Sequence, residues 1–240
     1  MIVKNNLLYY KNLDIYQDNE SFVFSLDSVL LPNFIGIPKN TKRILDIGTG
    51  NAPIPLILST RTNAKIVGVE IQKESAELAK KSVEINGLED QIEIINKDIK
   101  KTDFEAESFD IIVSNPPYFK VNNNSYLNEK ESKLLARHEI SLDLENLVRI
   151  SSRYLRHNGV FGLVHRPERL SDIIQVCRAY KLEVKRVQFV YPKVGENANI
   201  VLIEAIKNGK PGLKVLEPII TYENGKYTDQ IMAYFKERSE

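Results

Sequence analysis

Arg43-Ile44-Leu45-Asp46-Ile47-Gly48-Thr49-Gly50-Asn51-Ala52-Pro53-Ile54-Pro55-Leu56-Ile57-Leu58 decides the fold of this chain. Its first five residues read as a short buried strand, Gly48 to Asn51 as a tight turn, and the apolar run after Ala52 as a helix. Strand, glycine turn and helix form the geometry of a nucleotide-type site in an α/β sheet. Glycines there let the backbone approach a ligand closely. Taken alone, Gly-x-Gly is weak, and its weight comes from the acids placed downstream of it.

Ile66-Val67-Gly68-Val69-Glu70 is a second apolar run ending in an acid, 20 residues past Gly50. Ile92-Glu93-Ile94-Ile95-Asn96-Lys97-Asp98 is a third, also ending in an acid. A carboxylate at the C-terminal end of a strand can accept both hydroxyls of a ribose, and the next can accept from an adenine amino group. Any one of these acids is more commonly a solvated loop carboxylate. Their order along the chain, followed by a fourth strand, is not what chance placement gives.

That fourth run, Phe109-Asp110-Ile111-Ile112-Val113-Ser114, ends in Asn115-Pro116-Pro117-Tyr118. The Asn115 side-chain oxygen and the Pro116 carbonyl are adjacent acceptors beside an aromatic ring. An amino group attached to a planar π-system has its lone pair delocalised and is a poor nucleophile. Two acceptors on its N–H bonds favour a more tetrahedral nitrogen, and a stacked Tyr118 would hold the flat group in place. The proline pair fixes two φ angles and removes two donors, so the carbonyls project from a stiff turn. A strand ending in a Pro-rich turn is the plainer reading of the tetrapeptide by itself.

Asp46-x-Gly48-x-Gly50, Glu70, Asp98 and Asn115-Pro116-Pro117-Tyr118 resemble, in order and spacing, the class I S-adenosylmethionine-dependent amino-methyltransferases. Ala52 replaces the third glycine of that pattern and is small enough for close helix–strand packing; Pro55 is expected to delay or tighten the helix start. Phe22-Val23-Phe24-Ser25-Leu26-Asp27-Ser28-Val29-Leu30-Leu31, Ala136-Arg137-His138-Glu139, Pro192-x-x-Gly195-Glu196-x-Ala198, Leu216 to Tyr222 and Gly225-Lys226-Tyr227-Thr228 narrow the resemblance. The set is similar to the bacterial tRNA (adenine-N6)-methyltransferases that modify the anticodon-loop adenine, position 37, of a valine tRNA, from about Asn19 to Phe235. The resemblance implies a Rossmann-like α/β fold, a seven-stranded, mostly parallel sheet with an antiparallel C-terminal strand pair. It implies S-adenosyl-L-methionine held by Asp46, Gly48, Thr49, Gly50, Asn51, Glu70, Ile71, Asp98, Ile99 and Asn115. Catalysis falls to Asn115, Pro116, Pro117 and Tyr118, and substrate contacts to Asp27, Lys120, Arg137, His138, Arg166 and Arg169.

A chain of 240 residues, 42% hydrophobic and 27% charged, fits one α/β domain with a substantial core and a short N-terminal extension over residues 1–40. The single cysteine, Cys177, excludes an internal disulfide and a cysteine zinc cluster. No apolar run approaches a membrane span, and the N-terminus lacks the apolar core of a signal peptide, so the expected compartment is the cytoplasm. No metal is expected. Net charge is +1, but residues 1–150 carry −4 and residues 151–240 carry +5. The basic part could supply phosphate contacts, with Arg166, Arg169, Lys185, Arg186 and Lys193 as candidates; a plain solvated surface accounts for the bias equally.

Strands are expected near 43–47, 65–70, 91–96, 109–114 and 159–165, with an antiparallel pair near 184–191 and 198–206. Helices are expected near 26–35, 53–61, 73–86, 141–157, 168–180 and 228–236, with Asn86-Gly87 and Asn158-Gly159 as stops and Pro167 at a first helical position. The Asn-rich segment 119–128 and the charged stretch after it read either as a plain surface loop or as a lid whose Lys120, Lys130, Lys133 and Arg137 face phosphates. His138 is a capping or packing residue by default, or a substrate-orienting one; His157 and His165 read as structural.

Other functions use some of the same features. A protein glutamine amide is also a planar amino group, but such enzymes carry a helical N-terminal domain and only 42 residues precede Arg43. A DNA adenine enzyme needs a larger recognition domain; a guanine-N2 enzyme fits the turn as well. A silent module that binds RNA or cofactor would not need Asn115 to Tyr118, and a nicotinamide oxidoreductase has no use for them.

Overall fold

The computed structural model describes residues 2–7, 13–18, 25–116 and 143–235. An antiparallel hairpin of β1 (Ile2–Asn6) and β2 (Asp14–Asp18) comes first, then α1 (Asp27–Phe34). The alternating part continues as β3 (Arg43–Ile47), α2 (Pro53–Ser59), β4 (Lys65–Glu70), α3 (Lys73–Ile85), β5 (Ile92–Asn96), β6 (Phe109–Ser114), α4 (Leu144–Tyr154), β7 (Leu155–His165) and α5 (Leu170–Ala179). Beyond it come β8 (Leu182–Tyr191), β9 (Ile200–Lys207), β10 (Lys214–Val215), β11 (Ile219–Ile220), β12 (Tyr222–Glu223), β13 (Lys226–Tyr227) and α6 (Asp229–Phe235).

The main sheet runs β5-β4-β3-β6-β7-β9-β8, and β10 and β11 pair with the outer edge of β8. These two-residue strands extend the expected seven to nine. β9 alone runs against its neighbours β7 and β8, and every other pairing in the sheet is parallel. β3, β4 and β6 are apolar almost throughout because helices cover both faces. Successive residues serve opposite cores. Ile44, Ile66 and Ile111 pack with α1, α2 and the N-terminal hairpin, while Leu45, Val67 and Ile112 pack with α4 and α5.

Three local expectations change. α2 begins at Pro53 without delay, because Pro53 and Pro55 both fall in the first turn, where their missing N–H groups have no intrahelical partner to lose. α4 ends at Tyr154, not at the Asn-Gly pair. Asn158 takes a left-handed φ of 61° inside β7, and a Cβ on Gly159 would lie 2.8 Å from the Arg156 carbonyl, so the pair bends a strand. The segment before the core is a folded hairpin docked on α3: Asp14 N–H donates to Asn86 Oδ1 at 3.0 Å and Tyr16 N–H to Ser82 Oγ at 3.0 Å.

α1 is fixed at its C-terminal end. Arg186 donates to the Phe34 carbonyl at 2.8 Å and lies over the Phe34 ring; Arg61 donates to the Pro32 and Ile35 carbonyls. Glu204 pairs with Arg186 and accepts the Gly36 N–H at 2.7 Å. These contacts satisfy the carbonyls a helix leaves open at its end and set where its first turn points. Among the described residues no helix is long and apolar enough to cross a membrane.

Candidate active site

The parallel register brings the C-terminal ends of four strands into line. Ile47 lies beside Val69 on one side and Ser114 on the other, and Glu70 lies beside Asn96. The acids and the Asn-Pro turn of the sequence therefore emerge along one edge, where open α/β sheets bind ligands.

The glycine turn is held by backbone. Gly48 and Thr49 N–H groups donate to the Val69 carbonyl at 2.9 and 3.1 Å. Gly48 and Gly50 have φ of 75° and 58°, and a Cβ on either would meet nothing within 4 Å, so both border open space. Ala52, at the third glycine position of the pattern, adopts a left-handed φ of 72°. An alanine there costs about 1–2 kcal/mol.

Glu70 is 4% exposed. One oxygen accepts the Gly50 N–H and the other the Gln72 N–H, each at 2.9 Å. Those bonds tie the end of β4 to the glycine turn and fix the carboxylate at the rim. Asp46, next to Gly68 in the register, is enclosed, and neither carboxylate oxygen has a hydrogen-bond partner. Burial pushes its pKa up to about 7; the Thr49 hydroxyl is near enough to offset part of that rise, though not placed to bond, and the Glu70 charge adds to it. A Cβ on Gly68 would lie 2.9 Å from the Thr49 side chain, so this glycine makes the room Thr49 occupies.

At the next strand end Asp98 accepts the Lys100 N–H at 3.0 Å and caps the turn Ile99–Lys101, in which Ile99 is buried. Ile71 is 43% exposed, an aliphatic side chain left open beside Glu70. Asn115 donates through Nδ2 to Ser28 Oγ at 3.0 Å, so the first turn of α1 sets the orientation of the amide. Asp27, the first residue of that helix, is the neighbour of Ser28 in the chain.

Other expected residues have different surroundings. Asn51 donates to the Tyr16 carbonyl at 2.9 Å and holds the N-terminal hairpin. Arg166 and Arg169 come directly after β7 on the site side of the sheet; Arg166 donates to the Asn199 carbonyl and Arg169 pairs with Asp172. Lys185 donates to the Lys210 carbonyl at 2.9 Å and Arg186 belongs to the α1 clamp, so both are committed to the fold. Pro117, Tyr118, Lys120, Arg137 and His138, with the segment 119–136, lie outside the described residues. His165 is buried, accepts the Arg166 N–H at 2.8 Å, and burial lowers its pKa to about 4, as a structural histidine requires.

Residue types alone missed three supports. Ser28 holds Asn115; Ser114 Oγ donates to the Ile47 carbonyl at 2.8 Å; Asn96 Nδ2 donates to the Glu70 and Ile71 carbonyls at 2.9 and 3.2 Å. Each is a polar residue ending or facing an apolar run, which is the available signal.

Comparison with known proteins agrees with this geometry. A model of the methyltransferase domain matches residues 38–185. The chain is 30% identical over 234 residues to the tRNA1(Val) (adenine(37)-N6)-methyltransferase of Phocaeicola vulgatus, covering 97% of each chain. It is 33% identical to the protein of that name from Porphyromonas gingivalis, over 76% of this chain and 73% of the other. Among solved structures, one described as a predicted O-methyltransferase from Agrobacterium tumefaciens superposes with a TM-score of 0.68 at 22% identity, over 86% and 94% of the two chains. Geranyl diphosphate C-methyltransferase from Streptomyces coelicolor, solved with S-adenosyl-L-homocysteine, gives 0.56 at 12% identity over 75% and 79%. These structures share the fold, whereas the Phocaeicola relative shares the chain almost end to end: the protein belongs to the tRNA1(Val) (adenine(37)-N6)-methyltransferase family.

Proposed function

We propose that this chain transfers a methyl group from S-adenosylmethionine to N6 of an adenine in tRNA, the adenine at position 37 of a valine tRNA. The observation that carries the reading is Asn115, oriented by Ser28 at the end of β6, two strands from Glu70, in a chain related end to end to proteins of that name.

The residues fit the cofactor. Gly48 and Gly50 border open space, Glu70 presents acceptors at the rim, and the Asp46 carboxylate lacks a partner. When bound, S-adenosylmethionine supplies an electrophilic methyl on a sulfonium, so the protein's task is alignment. Glu70 is suited to the ribose hydroxyls and Asp98 to the adenine amino group. Ile71 and Ile99 offer apolar surface to the same ring. Asn115 Oδ1 and the Pro116 carbonyl accept from the two N–H bonds of the target amine and favour the geometry in which its lone pair can attack. By this reading Tyr118 stacks on the target base. After transfer the amine carries one proton too many. Neither an amide nor a peptide carbonyl is basic enough to keep it, so it passes to water. An anticodon-loop base reaches such a site at low cost because it is already unpaired.

The test is mass spectrometry of nucleosides from tRNA incubated with the protein and labelled S-adenosylmethionine. N6-methyladenosine is expected, and it should vanish when adenine 37 is replaced by guanine. Label in guanine or in a protein glutamine would overturn the substrate while leaving methyl transfer in place.

A further inference from the structure

β12 and β13 place Tyr222 and Tyr227 directly opposite each other across a turn at Asn224-Gly225, both of which have positive φ. The rings stack with centroids 5.0 Å apart and planes 15° from parallel. Tyr227 also contacts Phe235 at 5.9 Å, and Phe235 is buried between α6 and the core. The result is a short column of two stacked tyrosines resting on a phenylalanine tilted by 54°, buried at Phe235 and open at the tyrosines, each of which is 37% exposed. The neighbouring Tyr222 phenol and partial burial hold the Tyr227 phenol above its usual pKa.

A two-residue hairpin is not stable by itself. This one is held on the sheet by Tyr222 N–H to the Pro192 carbonyl at 2.9 Å and by Thr228, whose hydroxyl donates to the Ile220 carbonyl. A cross-strand aromatic pair stabilises such a hairpin, and that is its plain role. Two further observations point beyond it. The adjoining loop, 192–197, carries Val194 at 83% exposure, an aliphatic side chain turned to solvent. The column also stands on the same edge of the sheet as Asn115. Ser114 pairs with Leu163 of β7, His165 with Val201 of β9, Ile200 with Val190 of β8, and Tyr191 with Ile220 just before Tyr222. Four strand steps separate β6 from β11, roughly 20 Å at the usual spacing.

The charge of this patch is balanced. Lys193 and Lys226 are accompanied by Glu196 and Glu223, the latter directly opposite Lys226. Phosphate attraction is therefore not its main asset; flat exposed rings are. Aromatic faces stack on any unpaired base whatever its identity.

We propose that the Tyr222–Tyr227 pair is a platform on which an unpaired nucleotide of the RNA substrate, other than the methyl acceptor, stacks. The proposal rests on the tRNA reading above. The platform fixes the RNA at a second point away from the pocket, so that the target base is presented in register.

The test uses the full chain and an unmodified valine tRNA transcript. Tyr222→Ala is expected to weaken tRNA binding about tenfold or more, with the same dependence on salt as the parent, because no phosphate contact is lost. Tyr222→Phe should bind as the parent does. Tyr222→Leu keeps an apolar side chain against Tyr227 but has no ring face; it should lose affinity while its melting temperature stays close to the parent's, which separates stacking from hairpin stability. S-adenosylmethionine affinity should be unchanged in all three. If Tyr222→Ala and Tyr222→Leu bind and methylate tRNA as the parent does, the platform is wrong and the methylation reading stands. If these variants instead change the sedimentation of the protein and leave tRNA binding alone, the patch is a protein interface and the platform is again wrong. A parent protein that neither binds nor methylates tRNA removes the functional reading itself.

Discussion

The two halves of the sheet edge are built differently. At the ends of β3, β4 and β5 the geometry is carried by backbone: the glycine turn hangs on the Val69 carbonyl, Glu70 on the Gly50 and Gln72 amides, and Asn96 on the Glu70 carbonyl. At the ends of β7, β8 and β9 the edge carries loops and a small hairpin whose side chains reach solvent: Arg166, Lys193, Val194, Tyr222 and Tyr227. A ligand that is the same in every reaction cycle is served by main-chain contacts that sequence drift barely touches. By the proposed function, a substrate that differs from enzyme to enzyme would meet replaceable side chains on the other half. Asn115 stands at the border, between β3 and β7, with its amide held by α1.

The hardest strike at this contrast is Asn115→Ala. Turnover on tRNA should fall roughly 100-fold or more, as for loss of one positioned polar group at a reacting centre, while cofactor affinity by calorimetry moves little. Near-normal turnover would end the amino-group mechanism. Glu70→Ala should have the converse profile. Losing a charged partner in a buried contact costs about 1.5–3 kcal/mol, so S-adenosylmethionine should bind about 10- to 100-fold more weakly in a protein that remains folded. Unchanged affinity would take Glu70 out of the cofactor site.

Ser28→Ala sharpens the border between the halves. It removes one bond that orients the Asn115 amide, so kcat should drop by about tenfold with cofactor affinity retained. An equal loss of both would mean that α1 supports the pocket as a whole. The smallest effect is expected at Asp46. Its carboxyl titrates near 7 in the folded chain and near 3.8 when exposed, so between these values the folded state binds the extra proton. The stability that the neutral form contributes is fully present below about pH 4 and is lost as pH rises through about 7. Asp46→Asn removes this titration. The gap in melting temperature between parent and variant should shift in the variant's favour by about 5–10 °C from pH 5 to pH 8. A gap that does not move would show that the buried carboxylate is solvated or paired.

The backbone half was the legible one. A strand buried on both faces admits few residues, so Arg43–Ile47, Lys65–Glu70 and Phe109–Ser114 show in the sequence with their ends in place, and Gly48 and Gly50 mark a turn that few other residues can make. The Asn158-Gly159 pair misled because the same two residues that stop a helix also bend a strand, and only the close approach to Arg156 and Asp110 tells which. The pairing of Ser28 with Asn115 spans 87 residues, and no local pattern records it. The basic C-terminal part was less legible: composition counts Lys185 and Arg186 alike, whereas Arg186 bonds the end of α1 and Glu204, and Lys185 makes an exposed bond to the Lys210 carbonyl.

The N-terminal hairpin has a consequence for how the molecule is made. β2 is bonded to Asn86 and Ser82 of α3, partners 72 and 66 residues further along, and through its Tyr16 carbonyl to Asn51. On a ribosome adding about 5–20 residues per second, the strand emerges roughly 3–14 s before Asn86 does. For that interval it has an open edge and no dock, and the glycine turn lacks one of its braces. Nascent chains stalled before Asn86 emerges should be cut by protease within the first 18 residues, and chains stalled well after it should resist. Cofactor binding, on this timetable, cannot help fold the first strands; it has to wait for them.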